Sequence, residues 1–235
     1  MFNNKVCVIT GGAHGIGKAI ANEFTKQNAK CYVIDLIEGS HFVGDIGNKE
    51  TLEKFVNFVI EKEGKIDYLI NNAPPITKGI NECSYEEFNY ALSVGVTAAF
   101  YLSKLFLPFF NDSASIINIS SSRDRMSQPQ TESYTAAKGA ISALTHSLAI
   151  SLAHKVRVNS ISPGWINTNE EFIGSTLDHL QHPSGRIGTT SDIAKLVLFL
   201  CSEDAAFING ENICVDGGMT KQMIYHNDFK WKLEK

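Results

Sequence analysis

The sequence has few cysteines, and they form no pattern. Cys7, Cys31, Cys83, Cys201 and Cys214 are odd in number and scattered, with no CxxC pair. That argues against a disulfide framework and against a cysteine zinc site. Cys7, Cys31 and Cys214 lie in apolar runs and read as small buried hydrophobes. Neither sign of charge is in large excess. The net charge of −4 gives no basic surface for nucleic acid or an anionic membrane. No apolar run approaches the roughly 18 residues of a membrane span. The opening MFNNKVCVITGG has no signal-peptide apolar segment and enters a strand almost at once. A cytoplasmic, reducing location is therefore expected. Repeats, low-complexity tracts and linkers are absent too. What remains is an ordinary globular composition, 43% apolar and 20% charged, in 235 residues. That is enough chain for one large core.

Short apolar runs alternate with helical periodicity. Strands are predicted at 6–9, 30–35, 68–70, 115–119, 156–161 and 212–215, and helices at 16–28, 51–62, 85–110, 133–153 and 192–201. Continuous apolar strands between helices predict a parallel sheet covered on both faces. Only residues 36–40 separate Asp35 from the next apolar run, His41-Phe42-Val43. A parallel crossover normally takes a dozen or more residues and a helix. The fold class is therefore α/β, a three-layer, Rossmann-type, doubly wound parallel sheet in a single domain. One covering helix is expected to be missing after the second strand. Residues 1–218 form the domain and 219–235 a tail, in which Tyr225, Phe229 and Trp231 stand among lysines. The tail either packs on a neighbouring subunit or frays.

Thr10-Gly11-Gly12-Ala13-His14-Gly15-Ile16-Gly17 joins the first strand to the first helix. Glycines there let the backbone approach a pyrophosphate, and the helix N-terminus offers free N–H groups and partial positive charge. Asp35 ends the second strand, 18 residues after Gly17. A carboxylate at that place accepts the hydroxyls of an adenosine ribose and repels a 2′-phosphate, so the cofactor expected is NAD. Tyr134 and Lys138 are four apart on one predicted helix and share a face. An ammonium near a phenol draws its pKa toward neutrality, which suits a proton carrier. The strand 115–119 ends in Ser120-Ser121-Ser122, at the sheet end where ligands bind.

Together these motifs resemble the classical short-chain dehydrogenase/reductase family over nearly the whole chain. The glycine turn, Asp45-Ile46, Asn71-Asn72-Ala73, the serine run and Tyr134 with Lys138 stand in the family's order. So do Ser162-Pro163-Gly164-Trp165-Ile166-Asn167-Thr168, Gly185-Arg186-Ile187-Gly188 and Val215-Asp216-Gly217-Gly218. The resemblance implies that Ser121 orients a substrate carbonyl. It likewise implies that Tyr134 is the general acid/base and that Lys138 lowers its pKa and holds the nicotinamide ribose. Cofactor contacts are implied for Gly11, His14, Gly15, Ile16, Gly17, Asp35, Asp45, Ile46, Asn72, Ala73, Tyr134, Lys138, Pro163, Gly164, Ile166 and Thr168. No metal is implied. The implied reaction is reversible hydride transfer between nicotinamide and an alcohol or ketone. The implied partner is a second copy of the chain, as a homodimer or homotetramer. The helices 85–110 and 133–153 would meet there through Ala136, Ala137, Gly139, Ala140 and Ala143.

Three departures from the family pattern stand out. Gly95 occupies the place of the usual catalytic asparagine, so an impaired proton relay is expected. Pro74-Pro75 follows Ala73 where glycine is usual and stiffens the floor of the nicotinamide site. The substrate loop, about 169–188, is short, and its His179 and His182 read as surface residues. Two alternatives to an efficient alcohol dehydrogenase follow. One is a protein that binds NAD with weak or no turnover, and the other a 3-oxoacyl-thioester reductase.

Overall fold

The computed structural model describes residues 2–169 and 171–230. The chain begins with β1 (Val6–Thr10), α1 (Gly15–Lys26), β2 (Lys30–Asp35) and β3 (Phe42–Val43). Next come α2 (Lys49–Glu63), β4 (Ile66–Asn71), α3 (Tyr85–Leu92) and α4 (Ala98–Phe106). A π-helical turn, Ser93–Thr97, joins the last two. β5 (Phe110–Ile119), α5 (Glu132–Ser151) and β6 (Val156–Pro163) complete the central units. An excursion of β7 (Ile166–Asn167), α6 (Thr176–Leu180) and β8 (Gly188–Thr189) precedes α7 (Thr190–Cys201) and β9 (Asn212–Val215).

Seven strands form one sheet in the order β3-β2-β1-β4-β5-β6-β9, and all the pairings are parallel. Strand order reverses between β1 and β4. A crevice opens at such a point, at the carboxyl ends of the strands, and ligands bind there. The strands are apolar on both faces because helices cover both. In β1, Val6 and Val8 pack under α2, α4 and α5, while Cys7 and Ile9 pack under α1 and α7. The same alternation splits Leu69 from Ile70 and Ile116 from Ile117. Two cores of roughly equal size therefore clamp the sheet, and its carboxyl edge is held rigidly.

No helix lies between β2 and β3. Residues 36–41 turn through Gly39 (φ +91°), leaving Leu36 and Ile37 exposed and β3 only two residues long. The predicted helix 85–110 is broken, in two places. At 93–97 the π turn inserts an extra residue where Gly95 meets α5. At Pro108 the missing N–H ends the helix, and β5 starts at Phe110, five residues before its predicted start. The run Tyr85–Phe109 is long and apolar enough to cross a membrane by length and composition, its most apolar 18 residues having mean hydropathy 1.4. Against the sequence reading, then, one stretch does approach that size. One face of it, Ala91, Val94, Ala98, Leu102 and Phe106, is buried in the core, while Phe100 is exposed.

The five cysteines are free. Cys7 is fully buried, but Cys31 and Cys214 are only partly so. In the tail Met223, Ile224 and Tyr225 are exposed, while Trp231 and the side chain of Phe229 lie outside the described residues.

Candidate active site

The glycine turn is built by close packing. Gly11 adopts φ +66°, and a Cβ on it would lie 2.7 Å from the Ala73 Cα. A Cβ on Gly17 would strike the Gly11 carbonyl and the Asn72 amide. Asn72 braces the turn from below: its Nδ2 donates to Thr10 O (3.1 Å) and Gly11 O (2.7 Å). Thr10 Oγ1 answers by accepting from the Asn72 and Ala73 N–H groups at 3.0 and 3.1 Å. α1 then opens at His14 with no side-chain cap and no acid in its first turn. Its first amides and the positive end of its dipole are therefore left for a ligand.

Two cavities spread from this turn. The one beside β2, about 200 Å³, is lined by Gly11, His14, Asp35, Asp45, Ile46 and Ala73, with Leu36 and Pro74 at its wall. Asp35 is buried at the end of β2, where Oδ2 accepts from the Ala13 N–H at 3.0 Å. Asp45 accepts from the Gly47 N–H (2.8 Å) and the Tyr90 hydroxyl (3.1 Å). The second cavity, about 260 Å³, is walled by Gly11, His14, Gly15, Ile16 and Asn72 on one side. Ser121, Tyr134, Lys138, Pro163, Gly164, Ile166 and Thr168 wall the other. Gly17 lies in the turn itself. Apart from Gly17, the site residues named from the sequence line these two neighbouring cavities, which share Gly11, His14 and Pro74, at the carboxyl edge of β1, β2, β4, β5 and β6. A third, larger cavity of about 690 Å³ adjoins the second and shares Ser121, Tyr134, Gly164 and Ile166 as a common wall.

The electrostatics at that wall differ from the sequence expectation. Lys138 is buried, and its Nζ donates to the Ile119 carbonyl at 2.7 Å, 5.5 Å from the centre of the Tyr134 ring. Burial lowers its pKa to about 8. The Tyr134 phenol is not drawn down toward neutrality. Burial raises its pKa above 10, and a hydrogen bond with Ser121 and the charge of Arg123 offset this only in part. The physical reason is the burial of the phenol, which disfavours its charged form. Ser121 and Arg123 act against that burial, and the Lys138 ammonium stands 5.5 Å from the ring while bonded to the Ile119 carbonyl.

The family model described as enoyl-(acyl carrier protein) reductase matches residues 11–220. The chain belongs to the short-chain dehydrogenase/reductase family. An uncharacterized oxidoreductase of Thermotoga maritima is 39% identical, over 96% of this chain and 99% of its own length. The L-fucose dehydrogenase of Mus musculus is 35% identical, over 92% of this chain and 89% of its own. Among solved structures, an apo SCOR enzyme from Clostridium thermocellum is 44% identical with a TM-score of 0.93, covering 99% of each chain.

In this short-chain dehydrogenase/reductase, Gly95 fits tightly. A Cβ there would lie 2.8 Å from the Ala137 Cβ and 3.2 Å from Pro75 Cγ. So Ala137, expected at a subunit contact, is packed inward between Tyr134 and Lys138. A void of about 10 Å³ lies among Gly95, Asn71 and Lys138, and the buried Asn71 Oδ1 has no hydrogen-bond partner among the described residues. That is near the lower limit for one water molecule.

Two features escaped the sequence reading. Asp124 is a hub: Oδ2 accepts from Ser142 Oγ (3.0 Å), Ser162 Oγ (3.0 Å) and Asn212 Nδ2 (2.5 Å), and Arg125 pairs with both its oxygens (2.7 and 2.9 Å). Burial pushes its pKa up, but these bonds outweigh it and hold the carboxyl below the usual range. The hub ties the turn after Ser121 to α5, β6 and β9. A buried carboxylate of this kind leaves no periodic signal. His182 is buried, not on the surface as expected. Nδ1 pairs with the Asp178 carbonyl at 3.1 Å and the ring lies 6.2 Å from that of Trp165, because α6 folds the loop back over it. His179 is half-buried, and its Nδ1 accepts from the Ile187 N–H at 3.2 Å.

Proposed function

We propose that the protein is an NAD(H)-dependent dehydrogenase that interconverts an alcohol and its carbonyl on a small, hydroxyl-rich substrate. One observation carries the reading: Ser121 and Tyr134 form the wall between the cavity at the glycine turn and the larger cavity. The crevice fits a dinucleotide. The uncapped, acid-free start of α1 suits its pyrophosphate, and Asp35 in the adjoining cavity suits an unphosphorylated ribose. When bound, the nicotinamide supplies the hydride acceptor or donor that no side chain offers. Ser121 orients the substrate oxygen. Tyr134, neutral in the resting protein, stands ready to give its proton to a carbonyl oxygen. Lys138, with a pKa near 8, exchanges protons easily close to neutral pH.

The larger cavity is walled by Thr77, Ser127, Gln128 and Gln181 with the flat ring of Trp165. These groups suit several hydroxyls on one molecule, and the similarity to an L-fucose dehydrogenase agrees with that class. The test is initial-rate screening of aldoses, polyols and hydroxy acids with NAD and with NADP. Tyr134→Phe is expected to lose roughly 10²- to 10⁴-fold in kcat with NAD binding by calorimetry unchanged. A phenylalanine variant with full activity rules out Tyr134 as the proton carrier. A preference for NADP overturns the assignment to Asp35, and NAD binding without any turnover favours a binding protein. We further propose self-association through α4 and α5, where Phe100, Ala143 and Ile150 are exposed. A scattering mass of one chain would refute it.

A further inference from the structure

Arg123 and Arg125 lie on the same turn after Ser121, but their surroundings differ. Arg125 is neutralised: its guanidinium holds Asp124 by two bonds, at 2.7 and 2.9 Å. Arg123 is half-buried in the wall of the larger cavity, 5.7 Å from the centre of the Tyr134 ring. Its side chain bonds to Gln128 Oε1, a neutral acceptor in the same wall. Among the described residues Arg123 forms no ion pair, and none of the residues lining that cavity is acidic. A guanidinium carries five donors in a planar fork that matches a carboxylate. Partly withdrawn from water, its attraction for an anion is stronger than it would be in bulk.

We propose that the substrate carries a carboxylate and that Arg123 receives it, beside the hydroxyl presented to Tyr134. The proposal rests on the dehydrogenase reading above and narrows its substrate class to hydroxy acids. The short separation between guanidinium and phenol ring suits a carboxylate one to three carbons from the carbon being oxidised. Gln128 holds the fork in place, and Trp165, Gln181 and Thr77 line the rest of the cavity. The other role open to Arg123 is to act on the phenol alone, and that role would be blind to substrate charge.

Matched pairs separate these. Lactate, 3-hydroxybutyrate and gluconate are each tested with NAD beside propane-1,2-diol, butane-1,3-diol and sorbitol. Binding of the non-oxidisable 2-hydroxyisobutyrate, beside 2-methylpropane-1,2-diol, is measured on the NAD-saturated protein by calorimetry. The acid of at least one pair is expected to be favoured. Arg123→Met changes the phenol for every substrate alike, so the readout is the acid-to-diol ratio of kcat/KM, which should fall by roughly 10- to 100-fold, the range for losing a charged hydrogen-bond partner. Arg123→Lys should recover part of the loss. Diols used as well as acids by the parent enzyme, or an equal loss on both in Arg123→Met, overturns the proposal. Arg123-dependent binding of the acid with no turnover leaves the anion site standing and removes the dehydrogenase reading. Turnover restricted to the diols does the reverse.

Discussion

A single methyl group added at residue 95 is expected to force two helices apart. The Cβ of Gly95→Ala would lie 2.8 Å from the Ala137 Cβ, with Pro75 Cβ and Cγ at 3.3 and 3.2 Å. Carbon atoms in contact prefer about 3.5–4.0 Å. A Cβ moves only with its backbone, so the missing distance must come from shifting the π turn against α5. Overpacking of this kind costs about 1–3 kcal/mol. Alanine returns about 1 kcal/mol of helix propensity, leaving a net loss of up to about 2 kcal/mol. In a domain of this size each kcal/mol moves Tm by roughly 2–4 °C. The decisive measurement is a double-mutant cycle by urea unfolding. Ala137→Gly removes the opposing methyl, so Gly95→Ala should cost less in that background, with a coupling of about 0.5–3 kcal/mol. A Gly95→Ala protein more stable than the parent, with no coupling to residue 137, would refute the reasoning. The same clash bears on catalysis. Gly95→Asn, the substitution that matches the usual family pattern, should lower activity in the parent background, because it displaces the helix that carries both Tyr134 and Lys138.

Two further outcomes follow from the charges. Burial holds the Lys138 pKa to about 8, against about 10.4 for an unfolded lysine. Between those values the unfolded chain binds more protons, so this group's contribution to stability rises with pH, and below both its burial cost is fully present. The stability of Lys138→Met relative to the parent should therefore decline from pH 7 to pH 10 in urea unfolding, and a constant difference would contradict the assignment. Asp124→Ala removes the shared acceptor of Ser142, Ser162, Asn212 and Arg125, although Ser142 and Ser162 keep second acceptors in Lys138 O and Asn212 Oδ1, and should lose about 1–3 kcal/mol. The penalty should shrink as pH falls below the ordinary carboxylate range, because the unfolded parent chain then binds a proton that the folded carboxyl, held low, does not. Thermal unfolding at pH 7 and pH 3 tests both parts.

Much of this arrangement is written in local pattern. The apolar run at β1, the glycines after it and the acid closing β2 each follow from short-range chemistry, and the crevice brings them together. Tyr134 and Lys138 share a face because a helix sets their spacing. What was not legible depends on contacts distant in sequence. The π turn exists where residue 95 meets residue 137. The ammonium of Lys138 goes to the Ile119 carbonyl, a choice set by the end of a strand 19 residues away. Spacing alone pointed instead to a phenol lowered by its lysine. Arg123 lies in an irregular turn with no period to reveal it, and the burial of His182 comes from a five-residue helix too short to announce itself.

The Asp124 hub means that neighbouring positions answer to different demands. The carboxylate moors the backbone of the turn from inside, while the side chain one position earlier contributes nothing to that mooring. On the proposal that residue 123 receives the substrate, its side chain can be exchanged while the bonds of Asp124 to Ser142, Ser162 and Asn212 stay in place, so that new selectivity in this scaffold would have a short evolutionary route.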